Sequence, residues 1–167
     1  KYRIDFVCPD YHLRERFKIK KNRINYFVTP VSFLNPFSMI NLINKLMSKN
    51  KYDAIIPTSE PLLGIVGYYF SRKYRIPIVY EVQDNYEIYD SYRIPFVKLM
   101  DHNVIKKSDY VFYSNYTLMK KLKFLRKKNY EIIENGVDLK LFRKVPRKVT
   151  RNTLKIDQDI KLITYAG

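Results

Sequence analysis

Apolar residues in this chain fall into short runs with two spacings. Within residues 2–8, Ile4, Phe6 and Cys8 alternate with Arg3, Asp5 and Val7, the period of two that marks a strand. Pro9-Asp10 closes that run. Residues 14–23 are polar apart from Phe17 and Ile19 and read as an exposed loop or ribbon. Residues 24–29 form a second short strand, stopped by Pro30. Ser38 is placed to cap a surface helix with Ile40, Ile43, Leu46 and Met47 on one face. Asp53-Ala54-Ile55-Ile56-Pro57 reads as a compact apolar strand. Pro61 suits the first turn of the next helix, since it lacks only a donor that would be unpaired there anyway. That helix, residues 61–74, is apolar almost all round. Its Gly64 and Gly67 either let the helix approach a sheet closely or are small residues that a helix tolerates. Residues 76–82 are nearly continuously apolar, as a parallel strand buried on both faces should be.

The second half repeats the alternation. Pro95 opens a helix running to residue 107, and residues 109–114 form a strand. Ser114 or Asn115 caps a basic helix whose buried stripe is Leu118, Leu122 and Leu125. Residues 130–133 form the next strand, followed by an Asn135-Gly136 turn at which glycine permits positive φ. Residues 143–151 are a basic, proline-containing linker, and residues 160–165 begin another strand. Strands alternating with helices predict an α/β fold, a Rossmann-like open and mainly parallel sheet with helices on both faces.

With 167 residues, of which 46% are hydrophobic, the chain can bury a core of its own and is not disordered. No run approaches the roughly 18 apolar residues that span a bilayer. Cys8 is the single cysteine, so an internal disulfide is excluded and a cytoplasmic location is the expectation. The chain opens on Lys1 and closes on what looks like a strand just starting, so a piece of a longer protein is expected. The formal charge is +16, from 32 Lys and Arg against 16 Asp and Glu. It reads either as solvated faces or as a match for the inner face of an anionic membrane touched peripherally. Nucleic acid ranks behind both, because the aromatics sit mostly at strand and core positions.

Three polar loops follow the C-terminal ends of strands: Thr58-Ser59-Glu60, the stretch from Glu81 through Gln83, Asp84 and Asn85 to Tyr86, and Ser114-Asn115. In a parallel sheet these loops share one edge, where ligands bind. Glu60, Glu81 and Asp84 would then face a common cleft, able to accept hydrogen bonds from hydroxyl groups or a proton from one. Each carboxylate alone also fits a helix cap or a surface charge. Glu81 stands in an otherwise apolar strand, where a carboxylate needs a partner. Ser59 and Glu60 precede a helix N-terminus, which favours an anion or a sugar oxygen. Tyr86, Tyr89 and Tyr92 line the second loop. His12 and His102 lack a partner at metal-ligand spacing, so neither a metal nor a cofactor is expected. A glycine-rich phosphate loop and a nucleophile elbow are also missing from the sequence.

Three segments together resemble the N-terminal domain of family-four GT-B glycosyltransferases. They are Lys51-Tyr-Asp-Ala-Ile-Ile-Pro-Thr-Ser59, Ile76-Pro-Ile-Val-Tyr-Glu-Val-Gln-Asp84, and Ser108-Asp-Tyr-Val-Phe-Tyr-Ser114 with Ile132-Ile-Glu-Asn-Gly-Val-Asp138 and Phe142. The resemblance implies two Rossmann-like domains facing across a cleft, the N-terminal one holding the acceptor and the C-terminal one the nucleotide-sugar. Residues 1–142 would be the acceptor-side domain, lacking its usual first strand and helix. Residues 143–159 would be the linker, and residues 160–167 the start of the donor-side domain. Asp84 and Glu81 would serve catalysis; Glu60, Ser59, Gln83, Asn85 and Tyr86 would bind the acceptor. Ser114, Asn135, Gly136 and Asp138 would line the interdomain cleft, and Gly167 would open a donor phosphate loop. Many relatives carry histidine where this chain has Gln83, and glutamine cannot act as a base, so Asp84 is the first candidate. The implied activity is sugar transfer, with retention of configuration, from a nucleotide-sugar to a glycan or polyprenyl-phosphate-linked acceptor. The alternatives are a basic α/β module that binds nucleic acid and a GT-B-like sugar-nucleotide epimerase.

Overall fold

The computed structural model describes residues 2–12, 15–31 and 37–163. The chain divides into two compact units, Lys1–Glu134 and Asn135–Gly167.

The first unit opens with a mixed sheet. β1 (Ile4–Asp10) runs parallel to β3 (Ile24–Pro30), and β2 (Phe17–Lys21) lies antiparallel on the far side of β3. The polar stretch is therefore a ribbon. β2 is exposed along its length and carries Lys18, Lys20 and Lys21, a charged edge that discourages pairing with another chain. Pro9 and Asp10 do not end β1; they stay in register with Thr29 and Pro30. The strand is at the sheet edge, where a proline's missing N–H costs no ladder bond. α1 (Ser38–Lys49) packs on β1 and β3. Ser38 is not its cap. Phe37 holds that position, and the buried Ser38 hydroxyl lies 2.6 Å from Thr29 Oγ1 and accepts from Arg16 Nη2 at 2.8 Å.

α2 (Pro61–Tyr74) starts with Pro61 in its first turn. Its glycines stand where the sheet comes closest. A Cβ on Gly64 would lie 2.5 Å from Tyr80 Cζ, and one on Gly67 would lie 2.7 Å from Pro57 Cγ. β4 (Val79–Val82), β5 (Tyr110–Tyr113) and β6 (Tyr130–Ile132) then form a parallel sheet in that order. Ahead of it, residues 53–57 contribute a single parallel bridge, Ile55 to Ile78, instead of a full strand. Pro57 and Pro77 flank that bridge and have no N–H to extend a ladder.

The core lies on one side of β4–β5–β6. Tyr80, Val82, Val111 and Tyr113 are buried there with Val104 and Ile105 of α3 (Val97–Lys107) and Leu118 and Met119 of α4 (Tyr116–Leu122). Val79, Glu81, Tyr110 and Phe112 alternate onto the opposite face and are only half-buried. Residues of α3 and α4 pack on the core face of this sheet, whereas the residues of its other face are only half-buried, so β4 is not buried on both sides. The fold is mixed α/β around a small parallel sheet.

Two local expectations change. α3 begins after Pro95, with Phe96 as its N-cap in the left-handed region at φ 68°. α4 ends at Leu122, so the basic run 120–128 is not one helix. Asn115 caps α4, its Oδ1 accepting from Leu118 N–H at 2.8 Å. Arg126 is buried and donates to the carbonyls of Ile105, Ser108, Asp109, Lys128 and Asn129 at 2.8–3.1 Å. It gathers the chain ends that enter β5 and β6.

In the second unit the stretch read as a linker holds α5 (Arg147–Thr153), with Arg151 buried and donating to the Asp157 carbonyl. No glycine among the described residues has positive φ, so the turn expected at Gly136 is not of that kind. Residues 160–163 are not a strand, and residues 164–167, including Gly167, lie outside the described residues.

Candidate functional site

The three strand-end loops meet around Gln83. β4 ends in Val82, which places Gln83 at the sheet edge. Ser59, held at φ 77°, donates its hydroxyl to Gln83 Oε1 at 3.4 Å. Ser114, at the end of β5, donates its hydroxyl to the Gln83 carbonyl. The Gln83 N–H reaches the Tyr86 hydroxyl at 3.3 Å. One residue thus joins all three loops, so Ser59, Gln83, Tyr86 and Ser114 are brought together. A non-glycine residue at positive φ in such a place is conformational strain at a candidate site.

Two carboxylates accompany this junction. Glu60 is the N-cap residue of α2, with extended backbone. It uses its carbonyl, not its side chain, to accept Gly64 N–H at 3.1 Å. Its carboxylate makes no hydrogen bond or ion pair among the described residues. Asp84 is exposed and accepts the Tyr89 hydroxyl on Oδ2 at 2.8 Å; Oδ1 makes no hydrogen bond among the described residues. That bond to Asp84, with burial and the charges of Asp84 and Glu60, pushes the Tyr89 phenol above its ordinary pKa. Glu60 and Asp84 therefore act electrostatically on the same phenol. Such carboxylates can hold a hydroxyl-rich ligand, and Asp84 Oδ1 can accept its proton.

Glu81 stands apart. It lies within β4, its side chain on the face opposite Tyr80 and Val82, paired in register with Phe112. It makes no side-chain hydrogen bond or ion pair among the described residues.

Below the loop sits a feature that the sequence reading did not single out. Asp101 of α3 is fully buried and accepts two phenols, Tyr80 on Oδ1 at 2.6 Å and Tyr92 on Oδ2 at 2.5 Å. Burial raises its pKa, opposed by these two hydrogen bonds. The pair fixes the loop's far end to the sheet. A signal existed: Asp101 shares one helical face with Val97, Val104 and Ile105, so an acid occupies a core position. Glu87 was also passed over. It binds Lys121 of α4 and, at 3.0 Å, Lys98 of α3, while Lys121 also reaches Asn85 Oδ1 at 2.9 Å. The lysine hydrogen bonds, Lys121 foremost, hold the Glu87 carboxyl down to about 2. The loop carrying Asn85 is thereby tied to two helices.

Neither a family model nor a curated protein matches this chain. The candidate site therefore stands on its own geometry. Asn135, Gly136 and Asp138 belong to the second unit, where Asp138 Oδ1 accepts Lys140 N–H at 2.8 Å and closes a local turn. His102 packs edge-on between Tyr92 and Phe124, and burial lowers its pKa. Among the described residues no group of three His, Cys, Asp or Glu could hold a metal ion. No helix among them is long and apolar enough to cross a membrane.

Proposed function

We propose that the chain supplies the acceptor side of a glycosyltransferase, moving a sugar from a nucleotide-sugar to a glycan or lipid-linked acceptor. One observation carries this: loops from three neighbouring strand ends converge on Gln83, with the carboxylates of Glu60 and Asp84 beside them. That is where an open parallel sheet receives ligands. A sugar acceptor offers hydroxyl groups, to which the carboxylates bind as acceptors and the side-chain N–H groups of Gln83 and Asn85 as donors. Asp84 Oδ1 takes the proton, or the hydrogen bond, of the attacking hydroxyl. Tyr89 holds Oδ2 and so fixes the carboxylate's orientation. Glu60 binds a second hydroxyl at the entrance of α2. Tyr89 lines the loop with aromatic surface, whereas Tyr86 is buried in the core and supports the loop through its hydroxyl, which accepts the Gln83 N–H. Ser59 and Ser114 hold Gln83 in place.

The test is transfer of labelled sugar from a panel of nucleotide-sugars to lipid and glycan acceptors by these residues joined to a donor-side domain. Asp84→Asn should slow turnover by about a hundredfold, the usual size of a general-base contribution, with an unchanged melting temperature. Wild-type turnover in that variant removes Asp84 from the role. With a donor-side domain present, failure of every nucleotide-sugar to give transfer sinks the proposal; residues 1–167, which carry the acceptor side, should give no transfer by themselves.

A further inference from the structure

We infer that the outer face of α2 and α3 seats this protein on an anionic bilayer surface. On α3, Phe96, Leu99 and Met100 are followed at helical spacing by Lys106 and Lys107, and all five are exposed. On α2, Leu62 and Tyr69 are followed in the same way by Arg72 and Lys73. The two helices run side by side with their basic ends together, since Arg72 Nη2 donates to the Lys107 carbonyl at 3.1 Å. An apolar band therefore lies next to a cationic band on one surface. Between the helices is a groove of about 380 Å³, lined by Ile65, Tyr69 and Met100 and closed at one end by Arg72 and Lys73.

The exposures make this unusual. Phe96 is 75% exposed, Leu99 70%, Tyr69 55% and Met100 47%. Phe96 is held in the left-handed region at φ 68°, where a bulky residue is strained, and its ring nonetheless points to solvent. Large apolar side chains gathered on one rim mark an interaction surface. The charge selects its partner. α2 contains no acidic residue, and the one acid of α3, Asp101, is fully buried. Beside these helices Asp109 lies 3.7 Å from Arg72 and Glu87 3.0 Å from Lys98, while Glu60 stands at the N-terminal end of α2, away from Arg72 and Lys73. Lys73 stacks over the Tyr69 ring at 5.8 Å and donates to Asn44 Oδ1, which keeps it beside the apolar band. A surface with apolar residues on one side and unopposed lysines on the other fits the headgroup layer. The first set enters the acyl boundary and the second meets lipid phosphate. A nucleic acid would bring phosphate but nothing to cover Leu99, Met100 and Phe96.

This inference does not depend on sugar transfer, because vesicle binding needs no turnover. The experiment is flotation of the full chain with vesicles of phosphatidylcholine alone, with vesicles containing phosphatidylglycerol, and titration with a DNA duplex. The expected result is binding to the phosphatidylglycerol vesicles only. Leu99→Asp and the double change Lys106→Glu, Lys107→Glu should each weaken it by at least about tenfold, with unchanged circular dichroism. The control Lys20→Glu, Lys21→Glu, an equal charge change on the edge strand β2, should leave it within about twofold. Equal losses in the control would mean that net charge alone acts, and the inference fails. It fails also if Leu99→Asp binds as wild type, if no vesicle binds, or if DNA binds more tightly than the anionic vesicles.

Discussion

At the scale of single residues, the close contacts decide what the sequence may be. Gly64 faces the Tyr80 ring, and three ring and hydroxyl atoms of Tyr80 lie within 2.7 Å of where a Cβ would stand. Tyr80 cannot give way, because it is fully buried and its hydroxyl is bonded to Asp101 at 2.6 Å. In an exposed helix Gly→Ala would gain about 1 kcal/mol of propensity. Here the overpacking term, about 1–3 kcal/mol or more, opposes it. Gly64→Ala should therefore lower stability by about 1–2 kcal/mol net, read as a lower urea midpoint. A midpoint equal to or above that of wild type would show that the ring moves freely. Glu87 supplies a second residue-scale outcome, in pH. Its carboxyl is held at about 2 against an ordinary 4.5, first by Lys121 and then by Lys98. A lowered folded pKa means that its stabilising contribution is present above about 4.5 and is lost as pH falls towards 2. Thermal melts should show Glu87→Gln less stable than wild type at pH 7, with the gap narrowing below about pH 4.5 and closing only towards pH 2, and shrinking in high salt. A gap that stays constant with pH would assign the effect to packing.

Among the elements, α2 was legible to the residue because Pro61 fixes its start and its apolar pattern continues to Tyr74. The cap of α4 was legible to within one residue, Ser114 or Asn115, because short polar side chains stand just before a leucine stripe; the structure makes it Asn115. The strand read at residues 53–57 was not, since apolar character says nothing of how many N–H groups remain to pair. The basic run 120–128 hid two roles under one composition. Lys121 holds the candidate-site loop, and Arg126 joins the entries to β5 and β6. Nothing in the order of lysines and arginines separates a solvated cation from one that gathers carbonyls, because the difference lies in who surrounds it. That role has a measurable consequence. Arg126→Ala removes a donor shared by six carbonyls, of which that of Asn129 keeps the Val111 N–H, a loss of about 2–4 kcal/mol once water takes up part of the deficit. Arg126→Lys should recover little, because an ammonium lacks the planar fork that spans several acceptors. Urea denaturation of both variants checks this, and full recovery by lysine would reduce the clamp to a point charge.

For the whole molecule, the α/β class and the convergence of strand-end loops were readable from the order of elements alone, because parallel strands put their C-terminal ends on one edge. Whether both faces of the sheet are covered was not, since Glu81 and Phe112 reveal their side only when the pairing register is known. The resemblance implies an acceptor-side domain of residues 1–142, and the compact units part after Glu134. From Ile133 to Val145 the chain is exposed throughout and lies between β6 and α5. Exposed backbone between packed elements is where proteases cut. Trypsin has sites there at Lys140, Arg143 and Lys144. It also has sites at Lys127 and Lys128, equally exposed at the side chain, but in a segment whose backbone carbonyls are held by Arg126. Limited trypsin digestion should therefore cut first at residues 140–144 and leave residues up to Glu134 as one resistant body, identified by intact-mass measurement. First cleavage at Lys127 or Lys128 would mean that the Arg126 clamp does not hold that segment in solution. The first unit would then end at α4, and β6 would detach from the sheet whose edge carries Ser114.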